Sequence, residues 1–351
     1  MFKTNTLVIL SPGFPASDAD SAFLPAQQTF VRTLQKNYAN LKIIIISFHY
    51  PLHEKKYTLN GVVVYSLNAK GKKGLKRLLL WKKIWNILKN LKKENEIIGI
   101  LSFWANELSF IGKNFARRNK IKQLIWISGQ DAKKGNKFIS LINPYPDELV
   151  ALSDFLAKEF HSNYHIMPTH VIPNGIDKTL FKNESFTRTI DILGVGSLIP
   201  LKQYELFIKA VISIKTKIPN LKCIIYGNGP EKENLISLTK ISSLENTISF
   251  PGVIDHPLVL EKMKMAKILL HPSAYEGFSG ACIEAVYAGA HVVSFTKPMD
   301  LDIPHWHIVK TIEEMNAKVL ALLSDPTTEY TPVEVYTMDE SAKAMMQLFG
   351  L

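Results

Sequence analysis

Short, continuous β-branched runs alternate with helical patterns along the whole chain, and that alternation constrains the fold more than any other feature. In the first half the runs are TLVIL (6 to 10), KIIIISF (42 to 48), GVVVYSL (61 to 67), IIGILSF (97 to 103), QLIWIS (123 to 128) and ELVALS (148 to 153). The second half repeats the plan with IDILGVG (190 to 196), KCIIYGNG (222 to 229), TISFPGV (247 to 253), AKILLHPS (266 to 273) and AHVVSF (290 to 295). Runs such as IIII and VVV do not alternate apolar with polar residues, so they suit strands covered on both faces, as in a parallel sheet between helices. Two βαβ sheets in series are the simplest account. The seam is expected within residues 172 to 189, where Pro, Asn and Gly give way to a polar stretch. A chain of 351 residues, 46% hydrophobic, is long enough for two such domains.

Composition narrows the class. Only Cys223 and Cys282 occur, each in an apolar setting, so both read as reduced core residues of a cytoplasmic protein and no multi-cysteine metal site is expected. No apolar run approaches the ~20 residues that cross a bilayer. The net charge of +11 is concentrated. Residues 70 to 96 carry ten basic residues and no acid before Glu94. On a helical wheel Leu80, Trp81, Ile84, Ile87, Leu88 and Leu91 form one apolar face edged by Trp85, with Lys82, Lys83, Lys89 and Lys93 outside it. Such a helix either packs on a sheet with its lysines solvated or also touches an anionic membrane through Trp81, Lys82, Lys83, Trp85 and Lys89. No nucleic-acid-binding module is recognisable, so nucleic acid is not expected as a partner.

In open α/β sheets ligands gather beyond the carboxyl ends of the strands. Three glycine turns fall at such places: Gly13 in SPGFP, Gly194 and Gly196 in LGVGSLIPLKQ with Lys202 six residues on, and Gly227 and Gly229 in YGNGP. A fourth candidate is HPSAYEGFSGACIEAVYAG, which reads as strand, loop and helix. Gly277 and Gly280 allow close backbone approach there, and a helix starting near Gly280 aims its N–H groups at an anion such as a phosphate. Glu276 on the loop and Glu284 in the first helical turns would flank that anion, and carboxylates accept from hydroxyls, so the pair suggests a polyol on either side of a diphosphate. The same two residues also fit a solvated loop and a favourable charge near a helix N-terminus. His271 reads as a strand-end residue, and Asn174 as the cap of a helix begun by PNGID.

The stretch from Glu276 to Glu284 resembles the E-x7-E signature of the family 4 retaining glycosyltransferases. VIPNGIDKTLF (171 to 181), LGVGSLIPLKQYELFIKA, CIIYGNGP, FPGVI (250 to 254), HPSAYEGF and GAHVVSF follow in that family's order, so the resemblance covers nearly all of residues 171 to 295. The first half is similar more loosely, through SPGFPASDADSAFLPAQQTFVRTL.

The resemblance implies a GT-B architecture, two Rossmann-like parallel-sheet domains with a cleft between them. Residues 1 to 180, joined by a C-terminal helix at about 336 to 351, would be the acceptor-side domain, and residues 181 to 335 the donor domain. It also implies a retaining transfer of sugar from a nucleoside-diphosphate sugar to a glycan or lipid-linked acceptor in polysaccharide or glycoconjugate synthesis, with no metal or other cofactor. Glu276 would contact the donor sugar, Glu284 the ribose, and the N–H groups of Gly277, Phe278, Ser279 and Gly280 the distal phosphate. Lys202 would neutralise the departing diphosphate. Loops around Gly196, Gly227, Gly229 and Val253 would meet the rest of the donor, and Gly13, Phe14, Gln130 and Asp131 the acceptor.

Ser197 stands where the family usually carries arginine and Ser128 where members often carry histidine, which leaves Lys202 the main cation and Gln130 or Asp131 to take over hydrogen bonds. The expected location is cytoplasmic, peripheral on the inner face of a membrane. Competing expectations are a non-catalytic relative that binds sugar nucleotide or glycan, and a sugar-nucleotide epimerase.

Overall fold

The computed structural model describes residues 3 to 21, 23 to 181 and 186 to 351; part of the expected seam, 182 to 185, lies outside them. The chain divides into two compact units, one running to Asn174 and completed by Met338–Leu351, the other Gly175–Thr337.

The first unit contains β1 (Asn5–Gly13), α1 (Pro25–Asn37), β2 (Lys42–Tyr50), β3 (Lys55–Leu59), β4 (Val62–Ser66), α2 (Gly74–Glu94), β5 (Glu96–Phe103) and α3 (Glu107–Asn119). It continues through β6 (Gln123–Ile127), α4 (Lys137–Ile142), β7 (Leu149–Ala151), α5 (Asp154–Tyr164) and β8 (His170–Val171). The sheet order is β3-β4-β2-β1-β5-β6-β7-β8, parallel except for β3 against β4. Ile45 lies between Ile9 and Val64; β1 and β2 are buried on both faces, as continuous β-branched sequence requires, while β4 alternates buried and half-buried residues. One strand missed by hydrophobic pattern is β3, whose lysines suit an exposed edge. Its signal was the turn: Asn60 and Gly61 both take positive φ, 47° and 80°, which is the two-residue hairpin favoured by Asn-Gly.

The basic helix α2 packs through Leu80, Ile84, Leu88 and Leu91. Its tryptophans are half-buried and pack on the same side. Trp81 donates to Glu107 and stacks obliquely on Phe110, and Trp85 meets Phe115 edge-on and has Arg118 over its ring. Lys82 and Lys89 are exposed, while Lys83 pairs with Glu54.

The second unit contains β9 (Ile190–Val195), α6 (Tyr204–Lys215), β10 (Cys223–Tyr226), α7 (Lys232–Ile241), β11 (Ile248–Gly252), α8 (His256–Lys264) and β12 (Ala266–His271). After these come α9 (Gly280–Tyr287), β13 (His291–Ser294), β14 (Trp306–Ile308) and α10 (Ile312–Ser324). Its six strands are parallel, in the order β11-β10-β9-β12-β13-β14. The core lies between this sheet and its helices, with Phe207, Ile208 and Val211 of α6 on Ile192, Ile225 and Ile268. No helix forms at Pro173 to Asp177, so Asn174 caps nothing there; Asp177 instead accepts from Thr179 N–H at the 3-10 turn Lys178–Leu180.

The last helix, α11 (Met338–Leu348), returns to the first unit. Ala342, Met345 and Met346 are fully buried, and Asp339 accepts from Asn37 of α1 at 2.7 Å.

Candidate active site

In the second unit the chain lays down β9, moves outward through β10 and β11, and then returns to place β12 on the other side of β9. The connections leaving β9 and β12 therefore diverge, and a crevice opens beyond their carboxyl ends. Both connections bring a charged side chain to that place. After β9, the buried Leu198 anchors the chain and Pro200 starts a 3-10 turn that ends at Lys202. After β12, residues 272 to 279 carry Glu276 before α9 begins. Ala274 N–H and the Ser273 hydroxyl both donate to the Leu201 carbonyl, at 3.0 and 3.3 Å, and tie the two connections together.

Lys202 and Glu276 form an ion pair, and His271, the last residue of β12, has its Nε2 at 3.3 Å from Glu276 Oε2. Burial pushes the Glu276 carboxyl up, but the His271 hydrogen bond and the Lys202 charge outweigh it and hold the group at about 2. Burial pushes His271 below its ordinary value, so the imidazole is neutral and its Nε2–H donates to the ionised carboxylate. The strand-end histidine is thus also a positioning partner for Glu276. With both neighbours fixed, the remaining carboxylate lone pairs can accept from hydroxyls brought to the crevice.

Glu284 lies in the second turn of α9, with Oε1 at 2.8 Å from Nε2 of His256, the first residue of α8. Sequence reasoning missed His256, because the pairing joins residues whose helices meet only in the fold. Ser279 caps α9 by accepting from Cys282 N–H at 3.3 Å, and space is open around the Cα of Gly280. The helix start therefore offers the Gly280 and Ala281 amides, with the helix dipole behind them, to an anion. Cys282, in the first turn, is buried and its thiol is pushed up to about 12, so it acts as an inert core residue.

Several sequence-proposed residues have other occupations. The glycines of the β10 turn serve the protein first. A side chain at Gly227 would overlap the Gly196 carbonyl, and one at Gly229 the Leu198 peptide, because Leu198 N–H donates to Asn228 O at 2.9 Å and Glu231 N–H to Leu198 O at 3.0 Å. Phe278 is 3% exposed and packed among Trp306 and Tyr336, so only its backbone can face a ligand. Gly277 is buried, and Ser197 and Val253 are exposed.

In the first unit Gly13 is crowded by Phe23 and Tyr50, and Phe14 belongs to the core rather than to a ligand surface. Asp131 is buried, and its carboxylate accepts from the N–H groups of Ala105, Ser128 and Gly129 at 2.9, 3.2 and 2.8 Å, which staples the loop together. Burial pushes that carboxyl up to about 6. Gln130, exposed beside it, is the member of the pair left facing solvent.

Residues 175 to 330, wholly inside the second unit, match the family model "Glycosyl transferases group 1". The 2-deoxystreptamine N-acetyl-D-glucosaminyltransferase of Niallia circulans is 30% identical over 112 residues, 32% of this chain and 29% of that protein. The N-acetylgalactosamine-N,N'-diacetylbacillosaminyl-diphospho-undecaprenol 4-alpha-N-acetylgalactosaminyltransferase of Campylobacter jejuni is 30% identical over 165 residues, 45% of this chain and 44% of that protein. The aligned stretches thus span less than half of either relative. The crystal structure of the pneumococcal O-GlcNAc transferase GtfA in complex with UDP and GlcNAc matches at a TM-score of 0.72 and 12% identity, over 99% of each chain. That likeness carries the fold, GT-B, across both units. Residues 175 to 330 thus resemble the group 1 glycosyl transferases, and the matched stretch contains both Glu276 and Glu284.

Proposed function

We propose that this protein is a retaining glycosyltransferase that moves a sugar from a nucleoside-diphosphate sugar to a glycan or lipid-linked acceptor, on the cytoplasmic face of a membrane. The observation that carries the reading is the Lys202, Glu276 and His271 group at the divergence of β9 and β12, beside the N-terminus of α9. The diphosphate sits against the α9 amides and Lys202, where charge that grows on the leaving phosphate is stabilised. Glu276, ionised and held by His271, orients the sugar hydroxyls; Glu284, steadied by His256, accepts from the ribose.

In a retaining course the acceptor hydroxyl bonds to the anomeric carbon as the bond to the diphosphate breaks, and the hydroxyl proton passes to the leaving phosphate oxygen on the same face. Neither glutamate has to form a covalent bond. Lys202 and the helix dipole supply the positive charge, so the proposed transfer needs no metal. UDP in the neighbouring GtfA complex favours a uridine donor, and the lipid diphosphate in the name of the Campylobacter relative favours a lipid-linked acceptor. The acceptor is assigned to the first unit, near Gly13 and Gln130.

A panel of UDP, GDP, ADP, dTDP and CMP sugars tests the donor site by thermal stabilisation. A ligand at a hundredfold its Kd stabilises by about 2.7 kcal/mol. The expected result is a rise in Tm with UDP sugars that shrinks in Glu284→Ala and survives EDTA. A rise that EDTA removes overturns the metal-free part. No rise with any donor overturns the transferase reading and favours a glycan-binding relative.

A further inference from the structure

The helix α2 has a second apolar face that the fold leaves uncovered. Leu80, Ile84, Leu88 and Leu91 point into the first unit, but Leu75, Leu78 and Leu79 are 73, 56 and 58% exposed. At 3.6 residues per turn these three fall on one stripe with Lys82, on the side opposite Ile84. Single exposed leucines are ordinary; three on one stripe of one helix are a ridge.

The charge around the ridge has one sign. Lys70, Lys73, Lys76 and Lys82 are exposed, and Lys72 is half-buried. No acid lies between Lys70 and Lys93, and among the described residues the acids paired with α2 from elsewhere are engaged, Glu107 by Arg77 and Glu54 by Lys83. Further along, the same stripe turns polar, with Asn86, Lys89 and Lys93 exposed, so the ridge is confined to the first turns.

The position also has a direction. Arg77 Nη1 donates to the Ala69 carbonyl at 2.9 Å, and Ala69 N–H, three residues past the end of β4, donates at 2.7 Å to the carbonyl of Phe48 near the carboxyl end of β2. The ridge thus stands at the end of the sheet where the Gly13 turn and Gln130 also lie.

We infer that the first unit rests on an anionic bilayer through this ridge, with Leu75, Leu78 and Leu79 at the acyl boundary and Lys72, Lys73, Lys76 and Lys82 among the headgroups. The occupant is a lipid surface because apolar residues ringed by uncompensated lysines match an interface that is apolar below and anionic above. The inference deepens the reading of an enzyme that takes a lipid-linked acceptor, since it brings the acceptor end of the sheet to the membrane. It moves the contact away from Trp81 and Trp85, which the fold uses against α3.

The test is co-sedimentation of the full chain with phosphatidylglycerol–phosphatidylcholine vesicles and with pure phosphatidylcholine. Wild type should pellet with the first and much less with the second. Leu75→Ser/Leu78→Ser/Leu79→Ser should weaken partitioning by about tenfold or more at an unchanged Tm. Lys72→Glu/Lys73→Glu/Lys76→Glu should do the same. Reversing Lys89, Lys92 and Lys93, three equal charges at the far end of α2, should do less.

Unchanged pelleting of the leucine variant overturns the ridge, and equal losses from both lysine triplets reduce it to non-specific charge attraction. A wild type that is dimeric without lipid, and monomeric once the leucines are replaced, assigns the ridge to a second copy instead. Donor stabilisation, followed in the same variants, reports the second unit separately. Vesicle binding without any donor response would overturn the transferase reading and leave the ridge standing.

Discussion

Glu276 shows how one residue's environment sets what it can do. A carboxylate largely withdrawn from water would ordinarily hold its proton more tightly, yet His271 and Lys202 reverse the sign and keep the group at about 2. The unfolded value is about 4.3. A depressed folded value contributes stability that is present above the unfolded one and lost as pH falls towards the folded one, so this interaction weakens only between roughly pH 4 and 2. The acid limb of the pH–rate profile should therefore not fall at an ordinary carboxylate value on account of Glu276. Glu276→Gln keeps the shape but removes the charge that holds Lys202 and receives the His271 proton. We expect transfer to drop by about 10² to 10³, the scale of losing one aligned electrostatic group, with the protein still folded. An unchanged turnover number for Glu276→Gln would remove the residue from the mechanism.

At the scale of elements, most of the framework was legible because continuous apolar runs can only be buried strands and the turns between them carry glycine. Nine of the eleven proposed runs are strands over most of their length, while KCIIYGNG contracts to the four residues of β10 and ELVALS to the three of β7. The elements that escaped are short or polar: β3 is an edge hairpin arm, β8 spans His170–Val171, and β14 spans Trp306–Ile308. The candidate site could be proposed from the spacing of Glu276 and Glu284, but its supports could not. His271 and His256 become partners of those glutamates only when loop and helix ends meet, which no local pattern announces.

The glycines separate the two kinds of information. Gly229 and Gly280 look alike in sequence, yet a side chain at the first would overlap the Leu198 peptide and at the second would meet open space. Gly229→Ala should cost about 1–3 kcal/mol, as an overpacked site does. Gly280→Ala, at the first residue of α9, should be neutral or stabilise by up to about 1 kcal/mol. Denaturant melts of the two variants decide it: equal costs would mean that the laced turns after β9 and β10 can yield.

At the scale of the whole chain, sequence order and structural membership part company at the end. The helix α11 follows the second unit in sequence and belongs to the first in space. Its Ser341 hydroxyl donates to the Pro173 carbonyl at 2.8 Å, Asp339 accepts from Asn37, and Phe349 lies so close over Gly99 that no side chain would fit there. Met338, Met345 and Met346 are buried at 1, 0 and 0% exposure. At roughly 1.5–3 kcal/mol for each fully buried methionine, an upper estimate because unfolded chains already bury some surface, the helix contributes about 5–9 kcal/mol. That is comparable with the whole stability of an ordinary domain, about 5–15 kcal/mol. Deleting residues 338 to 351 should therefore unfold or nearly unfold the first unit while sparing the second, whose core contains none of these residues. Limited proteolysis should then cut first among residues 3 to 174, and a calorimetric transition that shifts with sugar nucleotide should survive for residues 175 to 337. If both units melt together on truncation, the units are not independent. If the first unit resists protease as well as the full chain does, α11 is a passenger and its buried methionines contribute little.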